Sequence, residues 1–162
     1  MRLFQGELLH SASDLSNFLS CEHLEALNLR ALLDPEHSPA PCADSEDVEL
    51  IQNHGFAHEA RYLELLRRSG RQVTELKDLG CLRESVQATE EAMRRGDDVI
   101  YKAALMSAPF SGYADFLLRV PGASLLGDWH YEVADTKLAR SPKAKFLVQL
   151  CFYADLIARI QG

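Results

Sequence analysis

What this 162-residue chain lacks narrows it first. No uninterrupted apolar run approaches the roughly 18 residues that a membrane-spanning helix needs, so no membrane role is expected. There is no excess of basic residues. The net charge is −7, which argues against a nucleic-acid coat protein binding through a basic surface. The four cysteines, Cys21, Cys42, Cys81 and Cys151, never take C-x-x-C spacing, so zinc is not expected and free thiols are. No G-x-x-x-x-G-K-[ST] occurs, which excludes an ATP-driven motor of that class within the chain. The first residues bring Glu7 and polar groups too early for a secretory signal, and a cytoplasmic location is the expectation.

What is present reads as one globular domain over residues 1–162, with 47% hydrophobic and 25% charged residues. Ser11 or Ser13 caps a helix whose apolar residues Leu15, Phe18, Leu19, Leu24 and Leu27 recur to about residue 33. Three prolines and five acids make residues 34–47 an exposed loop, with His37 solvated. A second helix is expected over residues 48–69, stopped by Gly70, and a third over 84–95, stopped by Gly96. Residues 71–76 suit an edge strand or a loop, and 98–106 a strand. Ser141 and Pro142 then predict a last helix, with Ser141 as its N-cap and Pro142 in its first turn.

Between those elements lies the stretch that fold construction alone does not demand. Residues 129–140 read as a strand on which Tyr131, Val133, Asp135 and Lys137 share one side. The preceding strand, residues 111–120, carries a lone acid, Asp115, in an apolar run. Turn residues in 121–128 can fold the two strands back as an antiparallel pair, and in one register Asp115 and Asp135 then lie side by side. Paired carboxylates repel unless a cation or proton sits between them, so the pair suits Mg2+ or Mn2+, with the carbonyl of Thr136 as a further oxygen ligand. Lys137 can orient a water or stabilise charge on a phosphoryl oxygen. Glu132 faces the other way. This is the chemistry of phosphodiester cleavage.

Asp115 followed by Asp135-Thr136-Lys137 resembles the D…(D/E)xK signature of the restriction-endonuclease-like nucleases. Gly112-Tyr-Ala-Asp115, Gln149-Leu-Cys-Phe-Tyr153 and Gly55-Phe-Ala-His58-Glu59 are similar to motifs of the RecB-like branch, and the resemblance runs over residues 11–162. It implies an α/β restriction-endonuclease-like core, a small mixed sheet flanked by helices, which would stop after the Gln149/Tyr153 helix without a further strand. The implied activity is a metal-dependent DNA nuclease, exonucleolytic on single strands or ends in repair or recombination. A helicase or further domain would act with it, in cis or in trans. By the same resemblance His58 is a metal ligand, Gln149 holds the lysine or a phosphate, and Tyr153 contacts the strand. The HExxH zinc pattern fails because Gly55 follows His54. Some relatives hold an iron–sulfur cluster, and Cys21 matches only its first cysteine. The alternative is a catalytically incomplete nucleic-acid-binding or partner-docking module on the same fold.

Overall fold

The computed structural model describes residues 1–39, 45–76 and 80–162 and is an α/β arrangement. Cys42 and the middle of the acidic loop fall outside those residues. Strands β1 (Arg2–Phe4) and β2 (Glu7–Leu9) form a small antiparallel hairpin that the sequence reading did not anticipate. Its two-residue connection, Gln5 and Gly6, has φ of 53° and 84°. Positive φ at both central positions matches the right-handed twist of the strands, and only Gly6 adopts it without a steric cost.

Helix α1 (Ala12–Ser20) begins at Ser11, whose hydroxyl accepts from the Asp14 amide while the Asp14 carboxylate accepts from the Ser11 amide. This reciprocal cap settles the choice between Ser11 and Ser13. The expected single helix to residue 33 is in fact two. Cys21 is extended (φ −163°, ψ 102°), and α2 (Glu22–Leu33) restarts beyond it. One turn of 3-10 helix follows at Pro35–His37. Helix α3 (Glu46–Arg68) has Glu46, Asp47 and Glu49 in its first turn and Arg67 and Arg68 in its last, the order that complements the helix dipole.

The main sheet has the order β3 (Val73–Glu75), β4 (Val99–Ser107), β5 (Phe110–Ser124), β6 (Gly127–Ala134). β3 is a parallel edge strand and the other pairings are antiparallel, so the sheet is mixed. Helix α4 (Leu82–Arg95) precedes β4 and ends at Gly96, which is left-handed (φ 77°). The β5–β6 turn is tighter than the expected loop: Ser124 pairs with Gly127, leaving Leu125 and Leu126 as the connection. Strand β6 ends at Ala134, so Asp135, Thr136 and Lys137 lie on an extended exit segment and not within a strand to residue 140. The last helix, α5, is Ala144–Gln161 with Lys143 as N-cap; Ser141 and Pro142 lie outside it and cap nothing.

One face of the sheet packs Ile100, Ala103, Leu105, Ala114, Leu117 and Tyr131 against Phe152, Tyr153, Leu156 and Ile157 of α5 and Ala92 and Met93 of α4. The other face is covered in two patches. Leu63 and Leu66 of α3 meet Val99 and Phe116, while Leu9, Leu82 and Val86 meet Ala104. The two-residue alternation of a strand breaks once in β4 and once in β5. Ile100 and Ala103 are three apart yet share a face, and so do Ala114 and Leu117. Pairing runs Tyr101 to Phe116 and then Ala103 to Ala114, so both slips occur on the same rung, at Lys102 and Asp115. Lys102 carries φ 59°, a left-handed value that a lysine rarely takes.

Candidate functional site

Hairpin register decides whether the two aspartates meet, and it brings them together. The last paired position is Phe116 opposite Ala134, so the next residues along, Asp115 and Asp135, face one another across the ladder. The Asp135 side chain is 6% exposed, and Lys137 Nζ lies 2.6 Å from its Oδ2. That contact has ion-pair distance without hydrogen-bond geometry. Neither carboxylate oxygen of Asp135 has a hydrogen-bond partner among the described residues, although both are buried. Burial pushes the Asp135 carboxyl up to about 6, and the neighbouring Asp115 carboxyl adds to this while Lys137 opposes it. Lys137 only partly offsets the cost of burying this carboxylate beside Asp115, and a hard cation is a partner that would offset more of it. The residues present therefore fit a divalent ion.

Two side chains that the sequence reading did not place in the site complete it. Lys102 Nζ donates to Asp115 Oδ1 at 2.8 Å and lies 2.6 Å from Glu59 Oε1. The Tyr101 hydroxyl donates to that same Glu59 oxygen at 2.6 Å. Burial works against the Lys102 ammonium, but its bonds to Asp115 and Glu59 outweigh it and hold the pKa above the ordinary lysine value. Tyr101 is pushed up to about 12 by burial and by its bond to Glu59. Glu59 was visible only as the residue after His58. Its signal is helical: Ile51, Gln52, Gly55, Phe56 and Glu59 of α3 line a cleft of about 310 Å³ together with Asp115, Thr136 and Lys137. At about 100° per residue Glu59 lies near the middle of that stripe. His58, half-buried, falls at its margin and outside the cleft lining.

Helix α5 supplies the two remaining predicted residues, four apart and on one side. Tyr153 is buried, and its hydroxyl is pushed up to about 12 by burial and then by the Asp115 charge. A Cβ at Gly112 would stand 2.8 Å from that hydroxyl oxygen, so only glycine leaves Tyr153 its place beside Asp115. Gln149 lines an adjoining cavity of about 240 Å³ with Lys137, Lys145, Phe146 and residues of α1. Lys137 and Lys145 each hold their ammonium 5.8 Å from the Phe146 ring centre. Asp115, Asp135, Thr136, Lys137, Gln149 and Tyr153 are thus gathered around one region.

Two other polar clusters also hold acids. His10, Asp14 and Glu25 place ligand atoms within 4.8 Å of one another, and among the described residues this is the one group of three that does so. Asp14 is committed to the α1 cap, with Oδ2 accepting from the Ser11 amide at 2.7 Å and the Ser11 hydroxyl at 2.8 Å, while Glu25 Oε1 is buried without a hydrogen-bond partner among the described residues. Four residues along β5 from Asp115, Arg119 donates to the Gly96 carbonyl at 2.6 Å and pairs with Asp98. Asp97 beside them accepts from Thr74 at 2.7 Å and Arg95 at 2.8 Å. Burial raises the Asp97 carboxyl, yet the Arg95 and Thr74 bonds prevail and hold it below the ordinary range. The cavity there, about 420 Å³, is larger than the acidic cleft. Of the acids lining it, Asp98 is paired with Arg119 and accepts from the Gln72 amide, and Asp128 is exposed.

Comparison with protein-family models, with curated proteins and with solved structures gives no match for this chain.

Proposed function

We propose that the chain is a divalent-metal-dependent nuclease that hydrolyses DNA phosphodiester bonds, acting on single strands or ends. The observation that carries this reading is the Asp135 carboxylate, buried beside the Asp115 carboxyl with the Lys137 ammonium as its ion-pair partner and its pKa pushed up to about 6. Asp115, Asp135, the Thr136 carbonyl and Glu59 would hold Mg2+ or Mn2+, with His58 at the edge of the set. When bound, the ion supplies Lewis acidity toward a phosphoryl oxygen and lowers the pKa of the attacking water. Lys137, one third exposed at the mouth of the cleft, orients that water or offsets charge building on the phosphoryl oxygens. Lys145, beside Lys137 in the adjoining cavity, is placed for the next phosphate along a strand. Gln149 shares that cavity, and Tyr153, expected to contact the strand, is instead buried, within reach of the Asp115 charge.

The test is cleavage of end-labelled single-stranded DNA in Mn2+, with duplex DNA, RNA and a small phosphodiester beside it. Cleavage that disappears with chelator, and in Asp135→Ala and Lys137→Ala proteins that still fold, is the expected result. Robust cleavage by either variant overturns the reading.

The docking-module alternative is favoured by one observation: Ile51, Phe56 and Leu138, all more than half exposed, form an apolar rim on the cleft. A module of that kind binds single strands or a partner through this rim with no cleavage at any metal concentration.

A further inference from the structure

Lys102 does two unusual things at once. It holds a left-handed backbone conformation, and it places its ammonium between Glu59 and Asp115, carboxylates from two different elements. A non-glycine residue in that conformation is strained, and such strain persists where the surroundings enforce it. The paired slip of β4 and β5 is what enforces it here, because it turns both Lys102 and Asp115 out of the alternating pattern and toward α3. Glu59 is 12% exposed and Asp115 20%, whereas Lys102 is 38% exposed and so has a route to solvent.

We infer that Lys102 is a built-in counter-cation that occupies the site in the metal-free protein and gives up Glu59 and Asp115 when a divalent ion enters. This rests on reading Asp115 as a metal ligand and adds to it a competition. Glu59, Asp115 and Asp135 do not gather their oxygens within 4.8 Å of one another, which is the arrangement expected around an ammonium and not around a small ion. Drawing them onto one ion requires the lysine to leave, since two cations cannot share the same pair of carboxylate oxygens without strong repulsion. The competition sets a threshold: at low divalent concentration Lys102 satisfies the acids and the site stays closed, and metal affinity is lower than the ligands alone would give.

Mn2+ titration by calorimetry on the full chain tests this, using Lys102→Asn, Lys102→Arg and Glu59→Gln. Asparagine tolerates the left-handed backbone, so Lys102→Asn removes the charge without adding strain. The expected result is Mn2+ binding about tenfold tighter in Lys102→Asn, near wild type in Lys102→Arg, and about tenfold weaker in Glu59→Gln. Without metal, Lys102→Asn should melt below wild type, and Mn2+ should raise its melting temperature more than it raises that of wild type. Equal or weaker Mn2+ binding by Lys102→Asn overturns the inference, as does absence of Mn2+ binding by every protein. The cleavage assay is a separate readout. Tighter binding with no cleavage leaves Lys102 as the competitor and removes the nuclease, whereas cleavage with unchanged affinity keeps the nuclease and removes the competitor.

Discussion

Two stretches of β5, four residues and so about 13 Å apart, handle partly buried aspartates in opposite ways. Around Arg119, Asp97 and Asp98 receive arginine, threonine and backbone donors, and the Asp97 carboxyl is held below its ordinary range. Around Asp115, the Asp135 oxygens have Lys137 as an ion-pair partner but no hydrogen-bond partner among the described residues, and the carboxyl is pushed up to about 6. The first arrangement is complete as it stands and holds β3, β4 and β5 together. The second leaves a buried carboxyl whose charge its surroundings disfavour. Acid count does not separate the two, since each has a pair; the supply of donors does.

The sharpest way to break this comparison is Asp135→Asn. Cleavage is expected to fall on the order of a thousandfold, while the melting temperature at pH 7.5 stays level or rises, because burial and the neighbouring Asp115 disfavour the Asp135 charge more than Lys137 favours it. A melting temperature that falls would mean that Asp135 is held as firmly as Asp97.

Next in size is Gly112→Ala, whose methyl group meets the Tyr153 hydroxyl at 2.8 Å and its ring at 2.9 Å. Either α5 shifts or Tyr153 leaves Asp115, at a cost of about 2 kcal/mol in denaturant unfolding. Tyr153→Phe together with Gly112→Ala should recover part of that loss, since the oxygen nearest the new methyl is gone.

The smallest effect is in pH. Asp135 has a folded pKa near 6 against an ordinary 3.8, so the folded state takes up its proton first. Its contribution therefore makes metal-free stability rise as pH falls from 7 to 5, by on the order of 1 kcal/mol. Asp97 has the opposite sign. Its contribution is present above 3.8 and disappears as pH falls through its lower folded value. Asp135→Asn should remove the first slope, and Asp97→Ala should weaken the protein at neutral pH and remove part of the acid loss. Unfolding curves at several pH values, compared with wild type, separate the two contributions.

Much of the candidate site's geometry was legible in the sequence. Asp115 and Asp135 lie on segments whose apolar content and turn residues call for a hairpin, and register did the rest. That Gln149 and Tyr153 share one face of the last helix follows from their spacing, whereas their place beside the acids rested on the resemblance. Lys102 was not legible, because alternation makes a lysine inside an apolar strand an outward, solvated residue, and nothing local announces that the backbone turns left-handed there. Glu59 was hidden by the more conspicuous histidine before it. The break at Cys21 was missed because leucines continue at helical spacing across it, and the Ser141 cap failed because helix geometry starts only at Ala144. The β1–β2 hairpin was passed over because each strand is three residues long. Short elements give periodicity too few repeats to register.

The matched slips at Lys102 and Asp115 also limit how this sequence can drift. Each half of the β4–β5 ladder keeps its own inward set, and the two sets are offset by one position. Losing one residue from β4 alone would put Leu105 on the wrong side while leaving Ile100 correct, and β5 would answer for only half its length. Related chains should therefore gain or lose residues here in both strands together or not at all, and a paired deletion would yield a regular sheet with no seam from which an acid and a lysine could emerge.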